Sequence, residues 1–568
     1  MTVDDAERAW WKEAVVYQIY PRSFNDTDGD GVGDLPGIVE KVDYLDDLGI
    51  DVVWLNPVYA SPDADNGYDI ADYRSIKEEF GGMADWERLL DELHERDMRL
   101  IMDLVVNHTS DEHEWFVRSR AGEEPYDDYY YWREGREQRT SGETTGTTAG
   151  GERPNDWESF FGGPAWSHDE KREAWYLHLF DEKQPDLNWR NPEVRDDVFE
   201  MMRWWFEKGI DGFRMDVINL ISKADGLPDG DPEGEPVGAE HFVNGPRLHE
   251  HLEEMNEEVL SEYDAMAVGE TVGTSAEEAT EFVGDGPLDM LIHFEHMHVD
   301  TGEGGVWDRV DLDLPALKSV VGRWQTALHR EGWNCLYLEN HDQPRSVSRF
   351  GDDGEHRVAS AKLLATLLCT LRGTPFVYQG QEIGMTNTSF EHRSELRDVW
   401  AHNFVDEALE SGEYAAFGEI RDVLETCSRD NARTPMQWSD GENAGFTDDE
   451  PWIALNENYR EINVERARRD EASIWHHYRD LIELRSEHDV LVYGDYEDLL
   501  PEHERLWAYV RTLGDERALV VLDVSGEPAR FDPALEYQEA ELLIGNYPDP
   551  DDLGGELRPY EARVYRLR

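Results

Sequence analysis

The chain has 568 residues, with 127 Asp plus Glu against 53 Lys plus Arg, a formal charge of −74. A surface this acidic repels phosphate backbones, which excludes nucleic acid as a partner, while 39% apolar residues, 20 Trp and 24 Tyr exclude a disordered acidic tail. Three scattered cysteines, Cys335, Cys369 and Cys427, form neither a disulfide framework nor a metal-binding spacing.

No apolar run approaches the roughly 18 residues of a membrane span, and the start carries no signal-peptide pattern. A soluble, cytoplasmic protein is therefore expected, with no membrane partner, as a monomer or small homo-oligomer. The acids run from end to end, and only nine Lys accompany 44 Arg. Molar salt shortens the Debye length to about 3 Å and removes most of the self-repulsion of such a surface, so the composition points to a halophile.

In chain order, residues 15–20 read as a buried strand. Ile38, Val42, Leu45 and Leu48 then keep helical spacing up to Gly49. A second apolar run at 52–55 leads to a helix with Trp86, Leu89, Leu90 and Leu93 on one face, and a third run follows at 100–106. This alternation means a parallel sheet, doubly wound or closed into a barrel. No G-x-G-x-x-G follows the first strand, which disfavours the dinucleotide-binding version.

From about 109 to 183 the pattern gives way to acids, tyrosines and a soft Gly/Thr-rich stretch at 140–151, read as an inserted domain with a mobile loop. Alternation resumes at Asn191-Pro192, a helix cap with a first-turn proline, and the helix it opens ends at Gly209. Further strands are predicted at 212–217, 265–270, 291–294, 335–339 and 376–379, making eight. After about 490 the chain turns to short alternating strands with a hairpin turn at Gly514-Asp515. The expected fold is α/β: a (β/α)8 TIM barrel with an inserted domain after strand 3 and a C-terminal antiparallel β-domain. The expected divisions are barrel 1–108, insertion 109–183, barrel 184–489 and β-domain 490–568.

Active sites of such barrels lie at the C-terminal mouth, and four predicted strands end there in polar residues: His108, Asp216, Glu270 and His341-Asp342. Three acids in one apolar mouth suggest glycoside hydrolysis, in which one carboxylate attacks the anomeric carbon and another carboxyl protonates the leaving oxygen. Arg214, two residues upstream of Asp216 on the same strand face, is expected to hold Asp216 ionised. Separately, Asp26, Asp28, Asp30 and Asp34 occupy positions one, three, five and nine of a loop with Gly31 at six. That spacing suits a hard cation, with Val32 offering its carbonyl.

The ordered motifs DLVVNH at 103–108, GFRMDV at 212–217, VGE at 268–270 and ENHDQPR at 339–345 resemble the signature regions of the α-amylase superfamily, glycoside hydrolase family 13. QPDLN at 184–188, DNGYD at 65–69, YQGQEIGM at 378–385 and NARTPMQW at 431–438 are similar to markers of its oligo-1,6-glucosidase and α-glucosidase subfamily. The resemblance implies Asp216 as nucleophile, Glu270 as general acid/base and Asp342 as the carboxylate that fixes sugar hydroxyls. It implies sugar contacts by His108 and His341, an Asp65–Arg433 pair closing the far side of the pocket, Tyr68 as a stacking platform, and Phe161, Phe180 and Gln184 in the wall.

The same resemblance implies one structural divalent cation, calcium or magnesium, in the acidic loop, and no organic cofactor. Val217, directly after the nucleophile, is the residue type of members that prefer α-1,6 bonds. The expected activity is an exo-acting retaining α-glucosidase on short oligosaccharides, with α-1,6 bonds accepted and α-1,4 bonds and sucrose open. A glucosyl-transferring isomerase of the isomaltulose or trehalose synthase type, a hydrolase of phosphorylated disaccharides and a non-catalytic transporter-associated subunit are the alternatives.

Overall fold

The computed structural model describes residues 8–136, 151–329, 332–532, 535–550 and 552–568; most of the soft stretch, 140–150, lies outside them. Eight parallel strands form the central sheet: β1 (Val16–Ile19), β2 (Val52–Leu55), β3 (Arg99–Val105), β4 (Gly212–Asp216), β5 (Met266–Glu270), β6 (Met290–Ile292), β7 (Cys335–Leu336) and β8 (Thr374–Tyr378). Their order is β6-β5-β4-β3-β2-β1-β8-β7, and a parallel bridge between Leu291 and Asn334 closes the ring. Every strand coincides in position with one expected from the apolar runs. The strands are buried almost without exception, as a sheet covered on both faces must be.

Helices alternate with the strands: α1 (Val42–Leu48), α2 (Met83–His94), α3 (Pro192–Lys208), α4 (Leu248–Glu258), α5 (Ala276–Ala279), α6 (Leu314–Ala327), α7 (Arg357–Thr370) and α8 (Ile474–Glu487). The boundary signals act as expected. Asn191 caps α3 by accepting from the Glu193 N–H at 3.0 Å, and Gly209 ends it with φ 109°. Gly49 ends α1 with φ 92°, a left-handed conformation that glycine adopts without a Cβ penalty. Ile38 belongs to a separate short helix, Leu35–Val39, whose N-cap is Asp34.

Between β3 and α3 the insertion builds a three-stranded antiparallel sheet from Trp132–Arg133, Ala174–Leu177 and Trp166–Asp169. Its small core contains Trp157, Trp166, Trp175 and Leu177 and extends to Val217 and Leu220 at the barrel mouth. A second insertion, unforeseen in the sequence, follows β8: the helices Val399–Glu410 and Phe417–Cys427 pack around a core of Leu396, Ala401, Val405, Ile420 and Leu424. After α8 the chain forms a five-stranded antiparallel sheet in which Leu506–Leu513 pairs with Glu516–Asp523 across Gly514-Asp515. No helix among the described residues is long and apolar enough to cross a membrane.

Strand register positions the chemistry. Asp103 of β3 lies opposite Arg214 of β4, and Val105 opposite Asp216. Gly269 of β5 lies opposite Met215, so Glu270 follows beside Asp216 at the ends of their strands. Because side chains alternate along a strand, Arg214 and Asp216 share one face.

Candidate active site

Arg214 is fully buried and divides its guanidinium among three carboxyls. Nη1 pairs with Asp103 Oδ1 at 2.8 Å and Asp216 Oδ1 at 2.7 Å, and Nη2 with Glu270 Oε1 at 2.5 Å. Asp103 is itself fixed by the Trp54 Nε1–H at 3.2 Å and the Asn56 amide at 3.1 Å. The expected pairing of Arg214 with Asp216 is present, and the same guanidinium also serves Asp103 and Glu270. Burial pushes the Asp216 carboxyl well above its ordinary range; Arg214 pulls it down, and the charges of Glu270 and Asp103 push it up again. One cation faces three acids here, so burial and like charge prevail over Arg214 at Asp216.

Val217 has φ 36° and ψ 41°, a left-handed conformation that strains a β-branched residue by about 1–3 kcal/mol. The strained turn aims the Val217 N–H at Glu270 Oε2, at 3.1 Å. The residue after Asp216 thus holds the second carboxyl of the pair while its own side chain, buried against the insertion's core, borders the mouth.

Asp342 faces the opposite electrostatic setting. Its Oδ1 pairs with Arg429 Nη1 at 3.1 Å and Arg433 Nη2 at 2.9 Å, and its Oδ2 lies 3.0 Å from His341 Nε2. Against the upward push of burial, His341, Arg429 and Arg433 hold its carboxyl well below the usual range. His341 Nδ1 lies 2.8 Å from the Gln18 side-chain amide nitrogen, and Nε2 is the nitrogen facing Asp342. Tyr68 lies nearly parallel to the His341 ring, at 7° with centroids 5.2 Å apart, and its hydroxyl is 2.7 Å from Nε2.

Asp65 is reached by Gln184 Nε2 at 3.1 Å and Arg429 Nη2 at 3.5 Å. Burial lifts its carboxyl to about 7, against the pull of Arg429 and Arg433. Gln184 also lies 3.1 Å from His108 Nε2, and burial lowers the His108 imidazole to about 4, so His108 is neutral near pH 7. Phe180 packs on His108 at 5.1 Å and on Phe161 at 5.4 Å, closing the wall. These residues form one contact network, from Arg214 and Asp103 through Tyr68 and His341 to Asp342 and Arg429, and on to Asp65, Gln184 and His108; the expected Asp65–Arg433 pair is not made, because Asp65 meets Arg429 while Arg433 pairs with Asp342.

These features match known proteins. Residues 18–494 match the catalytic domain of the alpha-amylase family. The chain belongs to the alpha-amylase family of glycoside hydrolases. Its relatives include the oligo-1,6-glucosidases of Parageobacillus thermoglucosidasius and Bacillus cereus, 52% and 53% identical, each over 99% of this chain and 100% of its own length. Among solved structures, trehalose-6-phosphate hydrolase of Bacillus licheniformis superposes with a TM-score of 0.92 at 47% identity, and isomaltulose synthase of Klebsiella sp. LX3 with 0.93 at 43%. Each covers 99% of this chain and 100% of its own.

Within this alpha-amylase family site, four residues escaped the sequence reading. Arg429 joins the Asp342 and Asp65 carboxylates to Asp398, a buried acid that also caps the Val399–Glu410 helix. Its signal was present: Arg429 precedes Arg433 by four residues, the spacing that stacks two side chains on one helical face. Lys223 forms a fully buried ion pair with Asp186 at 2.5 Å and donates to Asn107 Oδ1 at 2.7 Å. It thereby ties the QPDLN segment to β3 and the loop after β4, and no local pattern marks it. Asp103, within its motif, is the fourth.

In the acidic loop, Asp26, Asp28 and Asp34 converge, with ligand oxygens within 4.8 Å of one another. Asp30 is not in this group; its Oδ1 accepts the Val32 N–H at 2.9 Å, as Asp26 and Asp28 accept neighbouring backbone N–H groups. Burial, then the charge of Asp26, raises the Asp34 carboxyl against several hydrogen bonds. Three converging carboxylates with only backbone and hydroxyl donors between them fit a hard cation.

Proposed function

We propose that this chain is an exo-acting retaining α-glucosidase that removes glucose from the non-reducing ends of short oligosaccharides and accepts α-1,6 bonds. The observation that carries the proposal is the Asp216–Arg214–Glu270 clamp, linked through Asp103, Tyr68 and His341 to the Asp342–Arg429–Arg433 cluster. Two carboxyls sharing one guanidinium are set close, as a nucleophile and acid/base about 5–5.5 Å apart must be. The contact of Asp65 with Arg429, where an acid–arginine pair is expected to close the far side of the pocket, supports binding of a single terminal sugar.

In the first step an Asp216 oxygen bonds to the anomeric carbon as the glycosidic C–O bond breaks, and a proton passes from Glu270 to the leaving oxygen. Asp342, kept ionised, receives the sugar hydroxyls and stabilises the oxocarbenium-like transition state. Neutral His108 offers hydrogen bonds without adding charge. In the second step Glu270 takes a proton from water, whose oxygen displaces Asp216 from the anomeric carbon and yields α-glucose.

A fluoroglucosyl fluoride that traps the intermediate tests the reading. A mass increase of one fluoroglucosyl group on the peptide holding Asp216, with α-glucose as the first product of isomaltose cleavage, is expected. First-formed β-glucose, or a label on another residue, overturns it. The likeness to isomaltulose synthase supports a second reading, in which a sugar hydroxyl replaces water; isomerised disaccharide instead of free glucose from sucrose would establish it.

The Asp26–Asp28–Asp34 group supports a structural calcium or magnesium ion in this chain. The charge of −74 supports a protein that works in molar salt.

A further inference from the structure

A cavity of about 610 Å³ opens at the base of the barrel, on the face opposite Asp216 and Glu270. Its lining comes from segments that lead into strands: Trp11 and Lys12 precede β1, Asp285 and Asp289 precede β6, and Arg372 precedes β8. Tyr493, at the end of the helix Asp489–Tyr493, adds the wall toward the C-terminal β-domain. Asp216 and Glu270 close β4 and β5 at their C-terminal ends, so the length of a strand separates the cavity from the chemistry. None of the lining residues has a role at the barrel mouth.

The wall is fixed before anything binds. Trp333 is fully buried, and its indole N–H donates to Thr374 Oγ1 at 2.9 Å. Against it stand Trp11, edge-on with centroids 6.4 Å apart, and Tyr493 at 5.7 Å. Both are half-buried, so each keeps solvent-facing ring area. The Tyr493 hydroxyl donates to Glu13 Oε1 at 2.8 Å. The Arg372 guanidinium lies 4.5 Å from the Trp333 ring and donates to the Leu328 carbonyl at 2.9 Å. Lys12 Nζ lies 5.2 Å from the Trp11 ring, and Asp289 accepts the Ala267 N–H at 2.8 Å. Side chains held in this way lose little freedom when a ligand arrives.

The charges decide what the ligand is. Two cations, Lys12 and Arg372, are matched by two acids, Asp285 and Asp289, while His329 and Asp495 pair with each other at 3.1 Å. This balance stands in a chain of net charge −74. A charged ligand gains little from a balanced lining, and an anion is repelled by the rest of the molecule. Hydroxyl groups donate to carboxylates and accept from ammonium and guanidinium groups alike, and the C–H faces of a pyranose suit the rings of Trp11 and Tyr493. We propose that this basal cavity is a second, non-catalytic binding site for a neutral sugar of one or two pyranose rings. Its volume lies in the range of about 300–1,000 Å³ usual for small-molecule sites. The inference does not depend on the reaction assigned to the barrel mouth.

The test is glucose binding to the full chain in molar KCl, with crystals soaked in glucose to locate the sugar and ligand-observed NMR titrations to measure it. Glucose is expected in the basal cavity of the soaked crystal. Trp11→Ala should weaken that binding about tenfold, Trp11→Phe should restore most of it, and glucose at the mouth should be unaffected. Asp285 is exposed, so Asp285→Ala reads the site even where Trp11→Ala disturbs the short helix that carries it, and it too should weaken binding. Glucose found only at the mouth or nowhere, or binding at the base that neither variant weakens, overturns the site. Glucose 6-phosphate binding there ten times more tightly than glucose overturns the neutral class of ligand.

Discussion

Asp65 offers a test in which stability and activity must move in opposite directions. Its carboxyl is lifted from 3.8 to about 7 by burial. A group whose folded pKa lies above its unfolded value stays protonated in the native state while the unfolded chain ionises. Native stability therefore falls as pH rises from about 4 and levels off above about 7. At 1.36 kcal/mol per unit the full cost is about 4 kcal/mol. Asp65→Asn removes the ionisation and keeps an acceptor for the Gln184 amide, so the variant should be more stable at pH 8 by up to that amount. For a chain of this length, about 2.1 cal/mol/K per residue turns this into about 3 °C in the unfolding midpoint. Scans at matched rate and KCl are required because a protein this large unfolds irreversibly. A charged hydrogen bond to the sugar is worth about 1.5–3 kcal/mol, so kcat/KM should drop about 10- to 150-fold. A midpoint difference between the two proteins that is the same at pH 5 and pH 8 would refute the buried-acid argument.

Lys223→Met strands the Asp186 carboxylate in the core and should lower the unfolding midpoint and kcat/KM together, at about 3–5 kcal/mol in stability; adding Asp186→Asn should recover part of it. Raising KCl from dilute buffer to molar concentration should raise the unfolding midpoint, and a midpoint insensitive to KCl defeats the halophilic reading. Chelation should lower the midpoint of wild type but not of Asp28→Asn, and calcium or magnesium should restore it in wild type alone. Val217→Thr should raise turnover of maltose relative to isomaltose, read as the ratio of kcat/KM values.

The barrel was legible because its code is local. A strand buried on both faces must be a short apolar run, and helix ends at Gly49, Asn191 and Gly209 carry side-chain signals that act within one turn. The polar residues closing those runs gave most of the site for the same reason. What escaped depends on partners far apart in sequence. Asp398 and Arg429 lie in the insertion after β8, which has its own core but no period that separates it from barrel helices. Lys223 meets Asp186 only because the insertion after β3 folds back on the β4 loop. Asp30 was assigned by spacing alone, and it lies outside the group that Asp26, Asp28 and Asp34 form.

The division of labour among the acids follows from counting cations on each side of the hollow. On the barrel side Asp103, Asp216 and Glu270 share Arg214 alone, so burial wins there and pushes the Asp216 carboxyl above its ordinary range. On the side of the insertion after β8, Arg429 and Arg433 with His341 face Asp342, Asp398 and Asp65. There attraction wins for Asp342 and Asp398, whose carboxyls lie below the usual range, and only Asp65, at the 3.5 Å end of Arg429, is pushed up by burial. On the proposed reading, a sugar entering between them meets a proton donor toward its leaving oxygen and fixed negative charge at its hydroxyls. Two similar carboxylates thus acquire opposite tasks from the number of guanidinium groups beside each, with no difference in their own chemistry.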